Sequence, residues 1–216
     1  EVSTKILSAV SARLDTENVI SRATLWSELT GTAFYKVYWD KKSKDVSIAA
    51  VSPYELFPDN LCAETLDDVR SLIHARALPV GEIRDMYGVT PAAEEVELAM
   101  PERSSSRALA DIRRIRPEGY AVLIERYERP SAEKPEGELL ITCGDKLLWS
   151  GALPYENGRS GERTFPFVKQ DALPAAGMFF GQSMVERAIP LQRAYNAVKN
   201  RKHEFMNRLC AGVLAV

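Results

Sequence analysis

The chain has 216 residues, a formal net charge of −2, and is 45% hydrophobic and 27% charged. That length fits one large domain or two small ones, and the balance is that of an ordinary soluble globular protein. No apolar run approaches the ~18 residues a membrane helix needs, and near-neutral charge leaves any nucleic-acid contact to a local patch.

The first residues, Glu1-Val2-Ser3-Thr4-Lys5, carry no basic n-region and no apolar h-region, so no signal peptide is read there. The missing initiator Met suggests a fragment or a processed chain. Cys62, Cys143 and Cys210 are far apart, and none sits in a C-x-x-C pair. A disulfide framework or a zinc site is therefore not expected, and reduced thiols of an intracellular protein are.

In chain order, Val2, Ile6, Ala9 or Val10, and Leu14 have helical spacing. A second helix capped by Asp15 or Thr16 presents Val19, Ala23, Trp26 and Leu29 on one core-facing stripe and stops at Gly31. Thr32–Trp39 and Val46–Ser52, joined by the polar Asp40–Asp45, read as a β-hairpin. Ser52–Asn60 holds two prolines and leaves the sheet. Val69–Ala77 alternates as a third strand, followed by a short helix from Pro79 with Val80, Ile83 and Tyr87 on one face and Gly88 as its stop. His74 lies in that strand with no partner histidine or cysteine nearby, which favours a surface or packed histidine over a ligand. Residues 90–118 switch charge sign repeatedly and read as an insertion or exposed connection. Arg113, Arg114 and Arg116 within it suit a phosphate contact, although a simple exposed loop or partner contact accounts for them as well. A meander follows at Gly119–Arg129, Glu138–Thr142 and Lys146–Ser150, with Phe165–Val168 as a last short strand and Asp171–Gly181 as a loop.

The C-terminal stretch is the most informative. Ser183 and Glu186 make an S-x-x-E capping box. Met184, Ala188, Leu191, Tyr195, Val198, Phe205 and Leu209 then recur in alternating steps of four and three, with Lys202 in the one remaining slot. That is a 3.5-residue period, the mark of a long helix meeting a neighbour along one narrow stripe. Pro190 predicts either a kink or a helix that properly starts there. Arg187, Arg193, Lys199, Arg201 and Arg208 make the rest of the surface basic, which a solvated helix face also explains. Val213–Val216 looks like the start of a strand, which again predicts a longer protein. The fold class expected is α+β: antiparallel sheets and helices over 1–180, with a projecting helix over 181–216.

The chain contains no Walker, G-x-G-x-x-G, G-x-S-x-G or H-E-x-x-H motif, and its only histidines are His74 and His203. A histidine triad or multi-histidine metal site has little material. A two-metal nuclease built from Asp59, Asp67 and Asp68 is the enzymatic alternative, though these residues show no strand-end clustering.

Three motifs in this order resemble those of tailed-bacteriophage portal proteins. Leu29-Thr-Gly-Thr-Ala-Phe-Tyr-Lys-Val-Tyr-Trp-Asp40 is similar to a portal strand of the form tGtaf.kv.wd. Val51-Ser-Pro-Tyr-Glu-Leu-Phe-Pro-Asp59 is similar to a v.p..v..D turn. Phe165-Pro-Phe-Val168, then Gly181-Gln-Ser-Met-Val-Glu186 and Ile189-Pro-Leu-Gln-Arg-Ala-Tyr-Asn196, resemble a P-f-v strand followed by GkS..e...pLQ..iN. The motifs span most of residues 29–209. Gln182 stands where many relatives have a basic or other residue, and 90–118 match nothing.

The resemblance implies that Ser3–Val168 corresponds to the wing, Ser183–Leu209 to the first stem helix and 213–216 to the first strand leading to the clip. It implies a structural, non-enzymatic ring component, dodecameric, through which double-stranded DNA enters and leaves the capsid. The implied partners are copies of itself, terminase, head-completion or adaptor proteins, scaffold and the major capsid protein, with no membrane, no cofactor and no metal. The implied location is the portal vertex of the virion, with assembly in the host cytoplasm or expression from a prophage. Lys199, Arg201, Lys202 and Arg208 become candidate DNA-channel or inter-subunit residues, the alternative being ion pairing with Glu204 or a neighbouring subunit. Leu191, Tyr195, Val198, Phe205 and Leu209 become candidate stem-packing residues. The alternative function is another virion assembly protein, an adaptor or minor head protein, that uses the helix as an oligomer seam.

Overall fold

The computed structural model describes residues 2–40, 43–94, 98–101, 112–115, 118–158 and 160–210. The expected strand at Val213–Val216, the serine run after Glu102 and Arg116 lie outside them. Helices and antiparallel sheets are both present, with a long C-terminal helix, so the fold is α+β. The described chain divides into two compact units: Glu1–Pro53, Cys62–Glu64 and Val168–Val216 form the first, and Tyr54–Leu61 with Thr65–Phe167 the second.

The first unit begins with α1 (Val2–Arg13) and α2 (Thr16–Thr30). Asp15 precedes α2 in the left-handed region (φ 49°), and its carboxylate accepts from Asn18 Nδ2 at 2.7 Å instead of capping the helix. The buried stripe of α2 runs through Ala23 and Ser27, while Leu29 is 51% exposed. The expected stripe is thus rotated, because a small serine, not the leucine, meets the sheet. That sheet has the order β10-β1-β2, with β1 (Thr32–Asp40), β2 (Asp45–Val51) and β10 (Phe167–Asp171). The β1–β2 hairpin pairs Phe34 with Val51 through to Asp40 with Asp45, as the aromatic and β-branched run predicts. Arg13 reaches the end of the hairpin and pairs with Asp45 at 3.0 Å. The final strand starts two residues later than its Phe-Pro-Phe sequence suggests.

The second unit is built on a five-stranded sheet, order β3-β4-β7-β8-β9. Its strands are β3 (Leu56–Pro58), β4 (Ser71–Pro79), β7 (Tyr120–Glu128), β8 (Glu138–Cys143) and β9 (Lys146–Gly151). The two-proline segment leaves the first sheet as expected, makes a 3-10 turn at Pro53–Glu55 and then supplies β3, a strand of the second sheet that its sequence does not announce. Pro58 is tolerated because β3 is an edge strand, paired only with β4. Helix α3 (Val80–Tyr87) buries Ile83 and ends on Gly88 at φ 72°. Residues read as an irregular connection contain β5 (Leu98–Pro101) and β6 (Ile112–Ile115), antiparallel partners in a two-stranded sheet.

Alternation puts Leu72, His74, Leu123, Glu125, Tyr127, Leu139, Ile141 and Cys143 on the buried face of the five-stranded sheet. At its centre His74 stands opposite Glu125 in register, its Nδ1 2.7 Å from Glu125 Oε2. Tyr127 donates its hydroxyl to the same oxygen at 3.0 Å, and Phe167 meets both rings edge-on. His74 Nε2 is 3.6 Å from Glu55 Oε2. The strand histidine is therefore packed and fully enclosed.

Burial, then the nearby Glu125 carboxylate, pushes the Tyr127 phenol well above its ordinary value of 10.0. A raised folded-state value means the native chain holds this proton more tightly than the unfolded chain. Stability is therefore fully present below pH 10 and falls as the pH climbs from there towards the folded value. We expect the unfolding free energy from urea titrations to decline above about pH 10, by up to about 1.4 kcal/mol per pH unit for one such group. Tyr127→Phe should lose about 1 kcal/mol at neutral pH and show a shallower alkaline decline. An unchanged alkaline slope in that variant would assign the effect to other groups.

Candidate functional site

Two segments about 150 residues apart in sequence meet at the root of α4 (Met184–Cys210), all within the first unit. Helix α2 stops at Gly31, which takes φ 98° and returns its N–H to Ser27 O at 2.8 Å. The Gly31 carbonyl then accepts from Ala172 N at 2.9 Å. Gly181 lies directly against it: a Cβ on Gly31 would sit 2.1 Å from the Gly181 carbonyl oxygen, and one on Gly181 would sit 2.8 Å from that of Gly31. Only two glycines permit this backbone contact.

Polar side chains fix the joint. Thr32 Oγ1 accepts from Gly181 N at 2.7 Å and donates to Asp171 Oδ1 at 2.7 Å. The other Asp171 oxygen pairs with Lys169 at 3.0 Å, and that ammonium also donates to Glu64 O and lies over the Phe179 ring. Ser183 donates to Glu28 O at 2.9 Å while accepting from Val185 N and Glu186 N. Its hydroxyl thereby caps α4 and ties it to the end of α2. Phe179 is fully buried and stacks on Phe34 with centroids 5.8 Å apart. The Leu-Thr-Gly-Thr and Gly-Gln-Ser motifs are thus the two halves of one joint.

From this root α4 runs 27 residues, about 40 Å at 1.5 Å per residue. It begins at its Ser183 cap and contains Pro190, so the expectation of a start near Pro190 is corrected: the capped first turn holds before the proline. None of its residues is buried. Leu191 is 75% exposed, Val198 66% and Phe205 62%, and Tyr195 and Leu209 are exposed as well. Lys199, Arg201, Lys202 and Arg208 are also exposed. Among the described residues no ion pair joins any of these four to Glu204; Lys199 Nζ lies 5.3 Å from the Tyr195 ring centroid.

No protein-family model matches the chain, and a search of curated proteins finds no match.

The helix carries an organisation that residue counting along the sequence missed. With the stripe residues as seam, the positions bordering it on either side include Arg187, Lys199, Arg201 and Arg208, and Lys202 lies in the seam itself. The two acids, Glu186 and Glu204, fall outside both seam and borders. Heptad lettering of the stripe is the signal that finds this pattern.

The three aspartates considered for metal chemistry lie in the second unit, and each braces backbone or a cation. Asp59 Oδ2 accepts from Ser71 N at 3.1 Å, Asp68 closes a capping box with Thr65, and Asp67 pairs with Arg129 at 3.1 Å. Hydrogen bonds from Thr65 hold the Asp68 carboxyl below its ordinary value. Arg129 also donates to Val69 O and Leu66 O, and its guanidinium covers the Phe165 ring at 4.6 Å. Asp67, Asp68 and Arg129 border an open cleft of about 480 Å³.

Proposed function

We propose that this chain is part of a portal-vertex protein: a structural ring component whose helix α4 lines or supports a channel for double-stranded DNA. The observation that carries the reading is the free seam on α4. A 27-residue helix with no buried residue and a 3.5-residue apolar period needs neighbours along its length. Closed rings of identical subunits supply such neighbours to every copy at once. The joint at Gly31 and Gly181 supports the same reading, because it anchors the root of the helix while no residue of the helix is buried, which leaves its length for partners. The Leu-Thr-Gly-Thr and Gly-Gln-Ser segments that form the joint belong to motifs that resemble the portal pattern. In this reading terminase and head-completion proteins dock on the ring, and the chain performs no hydrolysis.

The test is the mass of the complete gene product by light scattering, with negative-stain images of the same peak. Rings with a central hole are the expected result. A folded monomer or dimer at every protein and salt concentration, with scaffold protein present, would overturn the assignment.

A further inference from the structure

The charge arrangement on α4 says what kind of surface its seam accepts. Five of the six basic residues of the helix, Arg187, Lys199, Arg201, Lys202 and Arg208, occupy the seam or its borders, and neither of its acids does. The helix carries six basic and two acidic residues, net +4, so the remainder of the chain carries −2 − 4 = −6. We infer that the seam of α4 takes an amphipathic helix whose own seam is apolar and whose borders are acidic, with a carboxylate opposite Lys202.

Two alternatives fit less well. A second α4 in parallel register places Lys202 against Lys202 inside the apolar seam. The antiparallel arrangement that matches the stripe to itself brings Arg187 beside Arg208. A like-charge pair at a desolvating contact opposes association, and borders of one sign select a partner of the other. A phosphate backbone would satisfy the cations but would leave Leu191, Tyr195, Val198 and Phe205 exposed to water. An acidic helix covers both. Carboxylates reach the border cations while apolar groups fill the seam, and the Lys202 stem packs along it with its ammonium paired at the edge. This inference does not rest on ring formation; it concerns the chemistry of whatever lies on the seam.

The test uses two fluorescently labelled helical peptides, each about four heptads long, with identical Ile and Leu seams. One has Glu at every border position, the other Lys. Anisotropy titration against the chain should show the acidic peptide binding, weakening about tenfold or more between about 0.05 M and 0.5 M salt, and the basic peptide not binding. Arg201→Glu with Lys202→Glu, which takes the seam and its borders from five positive charges to a net of one, should weaken the acidic peptide about tenfold or more, while Arg193→Glu, outside the seam, should leave its binding almost unchanged. Circular dichroism of the variants checks that α4 remains helical. Equal binding of both peptides, or binding of neither, overturns the inference. So does self-association of the chain that competes with the acidic peptide, or equal binding of that peptide to wild type and to a Leu191→Gln, Val198→Gln variant, which would mean that charge alone attracts it.

Discussion

Replacing Gly31 by alanine is expected to lower the stability of the first unit by about 3 kcal/mol or more. The same replacement at Gly88 should cost only about 1–2 kcal/mol. Both glycines end helices in the left-handed region, at φ 98° and 72°, so both variants carry the intrinsic strain of a Cβ there. They differ in what the new methyl meets. At Gly88 nothing lies within 4 Å, whereas at Gly31 the Gly181 carbonyl oxygen lies 2.1 Å away. That oxygen belongs to backbone, and its residue is held from the other side by Gly181 N donating to Thr32 Oγ1. Relief therefore requires the root of α4 to move off α2 and to break the Thr32 and Ser183 contacts with it. Urea unfolding checks this when followed by tryptophan fluorescence, with Trp26 and Trp39 reporting on the first unit, which holds Gly31, and Trp149 on the second, which holds Gly88. Equal losses at the two glycines would mean that conformational strain alone matters and that the joint is loose.

Local signals made much of the fold legible. The Gly31 and Gly88 stops, the polar turn between Trp39 and Val46, and the Gly144-Asp145 turn all act within a few residues, and each ends an element where expected. The misreadings share a cause, which is that a distant segment decides the outcome. Leu56–Pro58 has prolines that take it out of the first sheet, and it becomes an edge strand of the second because β4 offers it a partner. Leu29 has the right spacing for the core, yet Ser27 takes that side, donating to Thr24 O within its own helix. Ile112–Ile115 is too short and too basic to announce a strand, and its order comes from pairing with Leu98–Pro101.

The candidate site divides in the same way. The seam of α4 is periodic and could be read residue by residue. The joint that roots it could not, since Thr32, Asp171 and Gly181 come together only in the folded unit. Glycine in a sequence announces freedom of the backbone and does not say which chain segment will approach it.

Changing Leu191 and Val198 together to glutamine should abolish assembly of the complete protein while leaving each folded subunit almost as stable as before. Both side chains are largely exposed in the isolated chain, and glutamine is a good helix former, so the subunit should change by no more than about 0.5 kcal/mol. In an assembly that covers the seam the same two residues become core. Each loses about 1.5–3 kcal/mol of apolar burial when replaced, and every subunit contact around a closed ring carries the loss again. Small changes per subunit thus multiply into loss of the assembled state, which light scattering and negative-stain images would register as a shift to monomers. Unfolding curves of the dissociated protein would overlay those of wild type. Arg193→Gln, on the opposite side of the helix, should leave assembly intact. Rings that persist in the double variant would place the subunit contacts elsewhere in the chain and leave the seam of α4 to some other partner. Parallel loss of subunit stability would instead mean that the seam packs within its own subunit.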